Sequence, residues 1–176
     1  MSSTITLGAG CFWCLDAAMR SMKGIISSIP GYTGGASPNP SYEQVCSGTT
    51  GHVEVVQLTF DEEILNLSSV LELYWWIHDP TQLNRQGNDI GTQYRSAIFY
   101  HSEEQKLSCE SFRANLENNK VWANKIVTTI EPIPIFYAAE DYHHDYFSQN
   151  PQNQYCQYVV KPKIEKFKQV FSEKIQ

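Results

Sequence analysis

The chain has 176 residues, a formal net charge of −6 and five cysteines. That length suits one domain burying roughly 70% of its unfolded surface, and the acidic balance argues against a nucleic-acid partner, because phosphate binding needs a basic surface. No run approaches the ~20 apolar residues of a membrane span. Met1 to Gly10 has neither a basic start nor a long apolar stretch, so no signal peptide is read and a cytoplasmic location is expected.

Ile5 and Leu7 make a short apolar strand that ends at Gly8-Ala9-Gly10. From Cys11 the period changes: Leu15, Ala18, Met19 and Met22 follow the spacing of a half-buried helix, which puts Cys11 at a strand-to-helix turn. Ile25 to Ile29 reads as a strand, Gly31 to Gly51 as a long loop, and His52 to Phe60 as a strand. Ser69 and Glu72 make a capping box for a helix carrying Val70, Leu73, Tyr74 and Ile77, which stops near Asp79-Pro80. After a second polar loop from Thr81 to Arg95, Ala97 to Tyr100 is a strand. Ser102 and Gln105 cap a helix carrying Leu107, Cys109, Phe112 and Leu116. Ile126 to Ile130 reads as a strand and Tyr137 to Phe147 as short helix. Lys161 to Ile175 reads as an amphipathic helix with Ile164, Phe167 and Phe171 inward. Its lysines Lys161, Lys163, Lys166, Lys168 and Lys174 read as a wet helix face. The alternation predicts an α/β chain of the α+β type, one domain over residues 1–176: a two-layer sandwich with a mixed central sheet, helices packed on it and long functional loops.

The cysteines Cys11, Cys14, Cys46, Cys109 and Cys156 are odd in number and unevenly spaced, so neither a disulfide framework nor a zinc site is expected. Cys109 shares a helix face with Phe112 and Leu116 and reads as core; Cys46 stays open. Cys11 reads as a nucleophile, because a helix N-terminus favours the thiolate and the glycines before it leave the sulfur uncovered. Phe12 and Trp13 fit two readings equally, core residues or an apolar cup beside the sulfur. Glu54 shares its strand face with Val56, Leu58 and Phe60. A carboxyl there is either neutral and able to act as an acid, or at a strand end that has reached solvent; the first is favoured.

The runs Gly10-Cys11-Phe12-Trp13-Cys14, Gly31-Tyr32-Thr33-Gly34-Gly35, Asn39-Pro40-Ser41-Tyr42 and Gly51-His52-Val53-Glu54-Val55-Val56 resemble peptide methionine sulfoxide reductase A. The stretch His78 to Ser96, Ala139-Glu140-Asp141-Tyr142-His143 and Tyr155-Cys156 extend the likeness over nearly the whole chain. The resemblance implies that Cys11 attacks the sulfoxide sulfur while Phe12 and Trp13 hold the methyl group. Glu54, with Tyr42 and Tyr94, would bind and protonate the oxygen, and Asp89, His143 and Tyr146 would help place the substrate backbone. Methionine then leaves a Cys11 sulfenic acid, which a second thiol condenses into a disulfide for thioredoxin to reduce. The resemblance implies action on the S epimer. Cys156 is the expected resolving thiol, on the expectation of a mobile loop around it, with Cys14 its rival. No cofactor is expected, and a monomer is.

Three other readings remain at this point. A general disulfide oxidoreductase would use Cys11 and Cys14, a non-catalytic module would bind oxidised peptides, and a Cys-His hydrolase would use His52 or His143.

Overall fold

The computed structural model describes residues 1–176. Strand β1 (Ser2–Gly8) buries Ile5 and Leu7 and leads through the Gly10 turn into helix α1 (Phe12–Arg20). The helical spacing read from the sequence holds, since Leu15, Ala18 and Met19 are all buried. Strand β2 (Ile25–Thr33) runs further than its local composition predicts. Its second half, Pro30 to Thr33, is held by pairing with β3 (Val53–Asp61), so ladder partners override a loop-like sequence. Inside the first long loop sits a short helix, α2 (Tyr42–Cys46). Ser41 and Gln44 cap it reciprocally, the Gln44 N–H donating to Ser41 Oγ at 3.2 Å and the Ser41 N–H to Gln44 Oε1 at 2.9 Å.

Helix α3 (Leu67–Ile77) begins before the Ser69–Glu72 box predicts. Asn66 caps it, its side-chain oxygen accepting the Ser69 N–H at 2.8 Å. The second polar loop contains a two-stranded ribbon, β4 (Arg85–Gln86) with β5 (Asp89–Ile90). Strand β6 (Ala97–Tyr100) precedes α4 (Glu103–Asn118), capped by Ser102 as the sequence indicates; Leu107, however, faces solvent. Strand β7 (Thr129–Pro132) starts later than read, because the Val127 N–H goes to the Pro80 carbonyl at 2.8 Å instead of to a ladder. The helix expected from Tyr137 begins instead as strand β8 (Tyr137–Ala138), recruited by pairing with Tyr32 and Gly31. Only α5 (Tyr146–Gln149) is α-helical there. A π-helical turn, Cys156–Val160, runs into α6 (Lys161–Val170), which buries Ile164 and Phe167.

The sheet has six strands in the order β7-β6-β1-β3-β2-β8. Only the β6–β7 pair is parallel, so the sheet is mixed, as expected. One face carries the main core, in which Ile5, Leu7, Val56, Leu58 and Phe60 meet side chains of α1, α3 and α6. The opposite face carries only Val53, Val55, Ala97 and Phe99 under Ile133 and Phe136. The result is a mixed α/β sandwich with its helices gathered on the face that holds Glu54.

Two buried polar groups lock the elements that carry the site. The Asp16 carboxylate receives the Ser28 hydroxyl at 2.5 Å, Arg20 Nε at 2.8 Å and the Asp145 N–H at 3.0 Å, tying α1 to β2 and to the segment before α5. The Tyr74 hydroxyl on α3 reaches the Gly8 carbonyl at 2.8 Å, the Ala97 carbonyl at 3.2 Å and Ser96 Oγ at 3.1 Å, joining the ends of β1 and β6. Replacing Tyr74 with Phe strands buried acceptors without a donor and is expected to cost about 1–3 kcal/mol. Urea denaturation with an unchanged m-value checks it.

Candidate active site

Cys11 occupies the N-cap of α1, with an extended backbone and its side chain free of any capping bond. The approach to it demands glycine: Gly10 has φ of 78°, and a Cβ there would lie 2.8 Å from Cβ and Cγ of Gln86. Gln86 is itself fixed, clamping both the N–H and the carbonyl of Asp79 at 3.0 and 2.9 Å.

The strand period delivers Glu54 to the same place. Its Oε1 accepts the Phe12 N–H, the first amide of α1, at 3.1 Å, while its Oε2 is buried with no partner. Burial pushes the carboxyl up to about 8; the Phe12 N–H pulls against this and the Asp89 charge adds to it. Near neutrality Glu54 is therefore mostly a neutral acid whose unpartnered oxygen is free to donate. The reading of a strand end open to solvent is excluded, since the residue is 1% exposed.

Cys11 differs from expectation. The residue is half-buried and its thiol is pushed well up, first by burial, then by the charges of Glu54, Cys14 and Asp89. The Trp13 N–H at the helix start opposes this without offsetting it. An amide of the first turn stabilises a thiolate only modestly, whereas dry surroundings penalise the anion more. At Cys11 the resting form is the thiol, not the thiolate that the helix start alone favours.

Aromatic rings wall the site. Trp13 stacks on Tyr146 with ring centroids 3.8 Å apart, and its indole N–H donates to His143 Nδ1 at 3.0 Å. His143 packs on Tyr42 at 4.3 Å and on Phe12 at 5.1 Å. Phe12 is fully buried and Trp13 half-buried, so the first belongs to the core while the second keeps part of its side chain accessible. Tyr42 and Tyr94 are half-buried, and burial followed by the Glu54 charge holds both phenols well above their ordinary range, as proton donors.

On another side of Cys11 lies a cleft of about 250 Å³, lined by Cys14, Gln86, Asp89, Tyr155 and Lys163 among others. Asp89 accepts the Tyr155 hydroxyl at 2.5 Å. Cys14, one helical turn along α1, is buried and pushed up to about 11 by burial; Lys163 pulls it down and Asp89 pushes it up. Cys156 does not sit in the mobile loop expected for it. It is fully buried in the π-helical turn, where its N–H bonds to Asn153 Oδ1 at 3.2 Å, and all five cysteines are unpaired. A larger cavity of about 980 Å³ between α3, α4 and α6 contains neither Cys11 nor Glu54.

The structure thus gathers Cys11, Phe12, Trp13, Tyr42, Glu54, Asp89, Tyr94, His143 and Tyr146 around one centre. Cys156 lies behind Cys14, whose thiol its charge reaches. Sequence reasoning gave no role to Tyr155, to Lys163 or to Glu140. The Glu140 carboxylate sets Tyr42 by accepting that residue's N–H and the Tyr32 hydroxyl, each at 2.9 Å. Glu140 stands in the Ala139–His143 run, where the sequence alone assigns it no function, and Lys163 is one of several lysines with no local signal to distinguish it. His52 is bound at both ring nitrogens, to the Gly35 N–H and to the Ser37 carbonyl; His143 accepts the Trp13 N–H at Nδ1, which leaves its buried, unpartnered Nε2 as the protonated nitrogen, so neither ring offers a free base for a Cys-His hydrolase.

A thiol set against a neutral acid, with a further thiol one turn away, suits oxidation and reduction at sulfur, and the molecule is a thiol-dependent oxidoreductase. The model of the peptide methionine sulfoxide reductase family matches residues 3–175. The peptide methionine sulfoxide reductase MsrA of Saccharolobus solfataricus is 52% identical over 170 residues, covering 97% of this chain and 95% of that one. Mxr1 from Saccharomyces cerevisiae in its reduced form superposes with a TM-score of 0.82 at 38% identity, over 88% of this chain and 89% of that one. Mxr1 in complex with Trx2 matches with a TM-score of 0.58 at 26% identity, over 82% and 84%. The chain belongs to the peptide methionine sulfoxide reductase family.

The raised acid has a thermodynamic signature. Folded Glu54 holds its proton to about pH 8, whereas the ordinary value is 4.5, so the native state loses stability as pH rises between those values. At about 1.4 kcal/mol per pKa unit, Glu54→Gln is expected to gain several kcal/mol on the wild type between pH 4 and pH 9. Denaturant unfolding at the two pH values reads the difference.

Proposed function

We propose that the protein reduces methionine S-sulfoxide, free or within peptides and proteins, to methionine, and so repairs oxidised proteins. The observation that carries this reading is the protonated Glu54 carboxyl tied to the turn that bears Cys11. A sulfoxide is a dipole, positive at sulfur and negative at oxygen. With its oxygen toward Glu54, Tyr42 and Tyr94, it meets three donors where negative charge grows as sulfur is attacked. Its positive sulfur then faces Cys11 and offsets the burial that keeps that thiol protonated. Phe12 and Trp13 supply the apolar wall for the methyl group, and Asp89, His143 and Tyr146 border the remainder of the substrate. The oxygen ends on Cys11 as a sulfenic acid, carrying one proton, and methionine leaves as the thioether.

A second thiol then resolves the sulfenic acid. Cys14 is the nearer candidate, because it lines the same cleft as Cys11 and follows it by one helical turn. Cys156, the resolving thiol that the sequence favours, is fully buried within the π-helical turn and does not line that cleft. We assign the first disulfide to Cys11 and Cys14, with Cys156 as a further thiol behind them. Thioredoxin is the proposed reductant, by likeness to Mxr1, whose complex with Trx2 shares the fold. The whole of residues 1–176 acts as one catalytic domain and as a monomer. No helix is long and apolar enough to cross a membrane, and the five unpaired cysteines suit the reducing cytoplasm.

Incubation with a methionine sulfoxide peptide and dithiothreitol is expected to release methionine. Cys11→Ser abolishes release, Glu54→Ala lowers it about 10²–10³-fold, and wild-type turnover falls as pH rises through about 8, where Glu54 loses its proton. Equal turnover by wild type and Cys11→Ser refutes the reading. Thiols counted after one turnover without reductant test the recycling step: Cys156→Ser still loses the Cys11–Cys14 pair, and Cys14→Ser does not.

A further inference from the structure

Lys163 stands apart from the other lysines at the end of the chain. Lys161, Lys166 and Lys168 are exposed on α6, while Lys163 is half-buried and lines the cleft with Cys11 and Cys14. It has no ion-pair partner; the two ion pairs of the molecule are Arg20–Asp16 and Arg113–Glu117. Lys163 therefore brings a positive charge to a cleft that also holds two thiols and the carboxyl of Asp89, without a salt bridge to any carboxylate.

The groups facing Cys14 come from three directions. Lys163 on α6 and the hydroxyl of Tyr155 favour its thiolate, while Asp89 on β5 and Cys156 oppose it. Lys163 is the largest of the favourable influences. Lys163 also faces His78, which is buried and neutral, and borders Asp79 and Lys166 on its outer side.

We propose that Lys163 is the positioning residue that supplies a thiolate at Cys14 for attack on the Cys11 sulfenic acid. The inference rests on the reading of Cys14 as the first resolving thiol. The Cys14 thiol gives its proton to water in the cleft, and the anion is held opposite the Lys163 ammonium. Its sulfur attacks the Cys11 sulfur, the S–S bond forms as the S–O bond breaks, and hydroxide departs to be protonated by solvent. The two thiols are oxidised together to one disulfide, and the oxygen taken from the sulfoxide leaves as water, so no further oxidant is needed. With Lys163 in place the Cys14 thiol still stands at about 11, so only a small fraction is ionised at neutral pH, and the ammonium lining the same cleft is what keeps that fraction from being smaller still.

Single-turnover kinetics separate the two steps. Mixing the reduced protein with a methionine sulfoxide peptide gives methionine release, which reports Cys11, and loss of two thiols, which reports Cys14. In Lys163→Met the rate of thiol loss is expected to fall about tenfold relative to methionine release, a shift of about one pKa unit in the thiolate supply. Its pH profile moves to the alkaline side, and Lys163→Arg restores both. A dimedone-trappable sulfenic acid outlives that of the wild type in Lys163→Met. Unchanged thiol-loss kinetics and pH profile in Lys163→Met, or an equal defect in Lys163→Arg, overturns the proposal while leaving sulfoxide reduction standing. Absence of methionine from the wild type overturns the parent reading itself.

Discussion

The bond from the Phe12 N–H to the Glu54 carboxyl is the contact on which the site depends. It joins the first amide of α1 to the inward face of β3, and with it the turn that bears Cys11 to the Glu54 carboxyl. Everything near it serves that closeness. Gly8 lets the end of β1 lie against β3, where a Cβ would come within 2.9 Å of Val53 Cγ1. Gly10 bends the chain over Gln86, and Tyr74 holds the ends of β1 and β6 at the correct height. One carboxyl oxygen is satisfied and the other is not, which is an unusual state for a native interior. The group persists there because its proton removes the charge.

The second constraint is dryness. The same burial raises Glu54, Cys11 and the two phenols, so the resting site contains proton donors and no formed nucleophile. Such a site favours a neutral, strongly dipolar guest whose own charges complete the electrostatics. A sulfoxide has that character, and Phe12, Trp13 and the rings stacked on them offer it an apolar wall. Reactivity is thereby conditional on the substrate being present.

Much of the centre was legible in the sequence because it is built on periodic elements. The helix spacing after Cys11 and the two-residue alternation through Glu54 gave the faces directly, and the core clusters divide β3 as that alternation requires. What escaped was set by partners distant in the chain. The second half of β2 and the strand at Tyr137 exist through pairing with each other and with β3, and local composition argues against both. The ionisation of Cys11 was misread for a related reason: the helix N-terminus is visible in sequence, whereas the depth of its surroundings is not. Asn, Gln and Pro around Cys156 suggested mobility, yet Asn153 turns its side chain onto the Cys156 N–H and helps order the segment.

The indole of Trp13 is bonded to a ring 130 positions further along the chain, and it stacks on Tyr146 beyond that. During synthesis from the N-terminus, α1 and β3 therefore emerge long before the segment that roofs them. A nascent chain ending short of His143 already holds Cys11 and Glu54 but lacks the rings that pack on Phe12 and Trp13. Completion of the aromatic wall thus waits until the last quarter of the polypeptide docks.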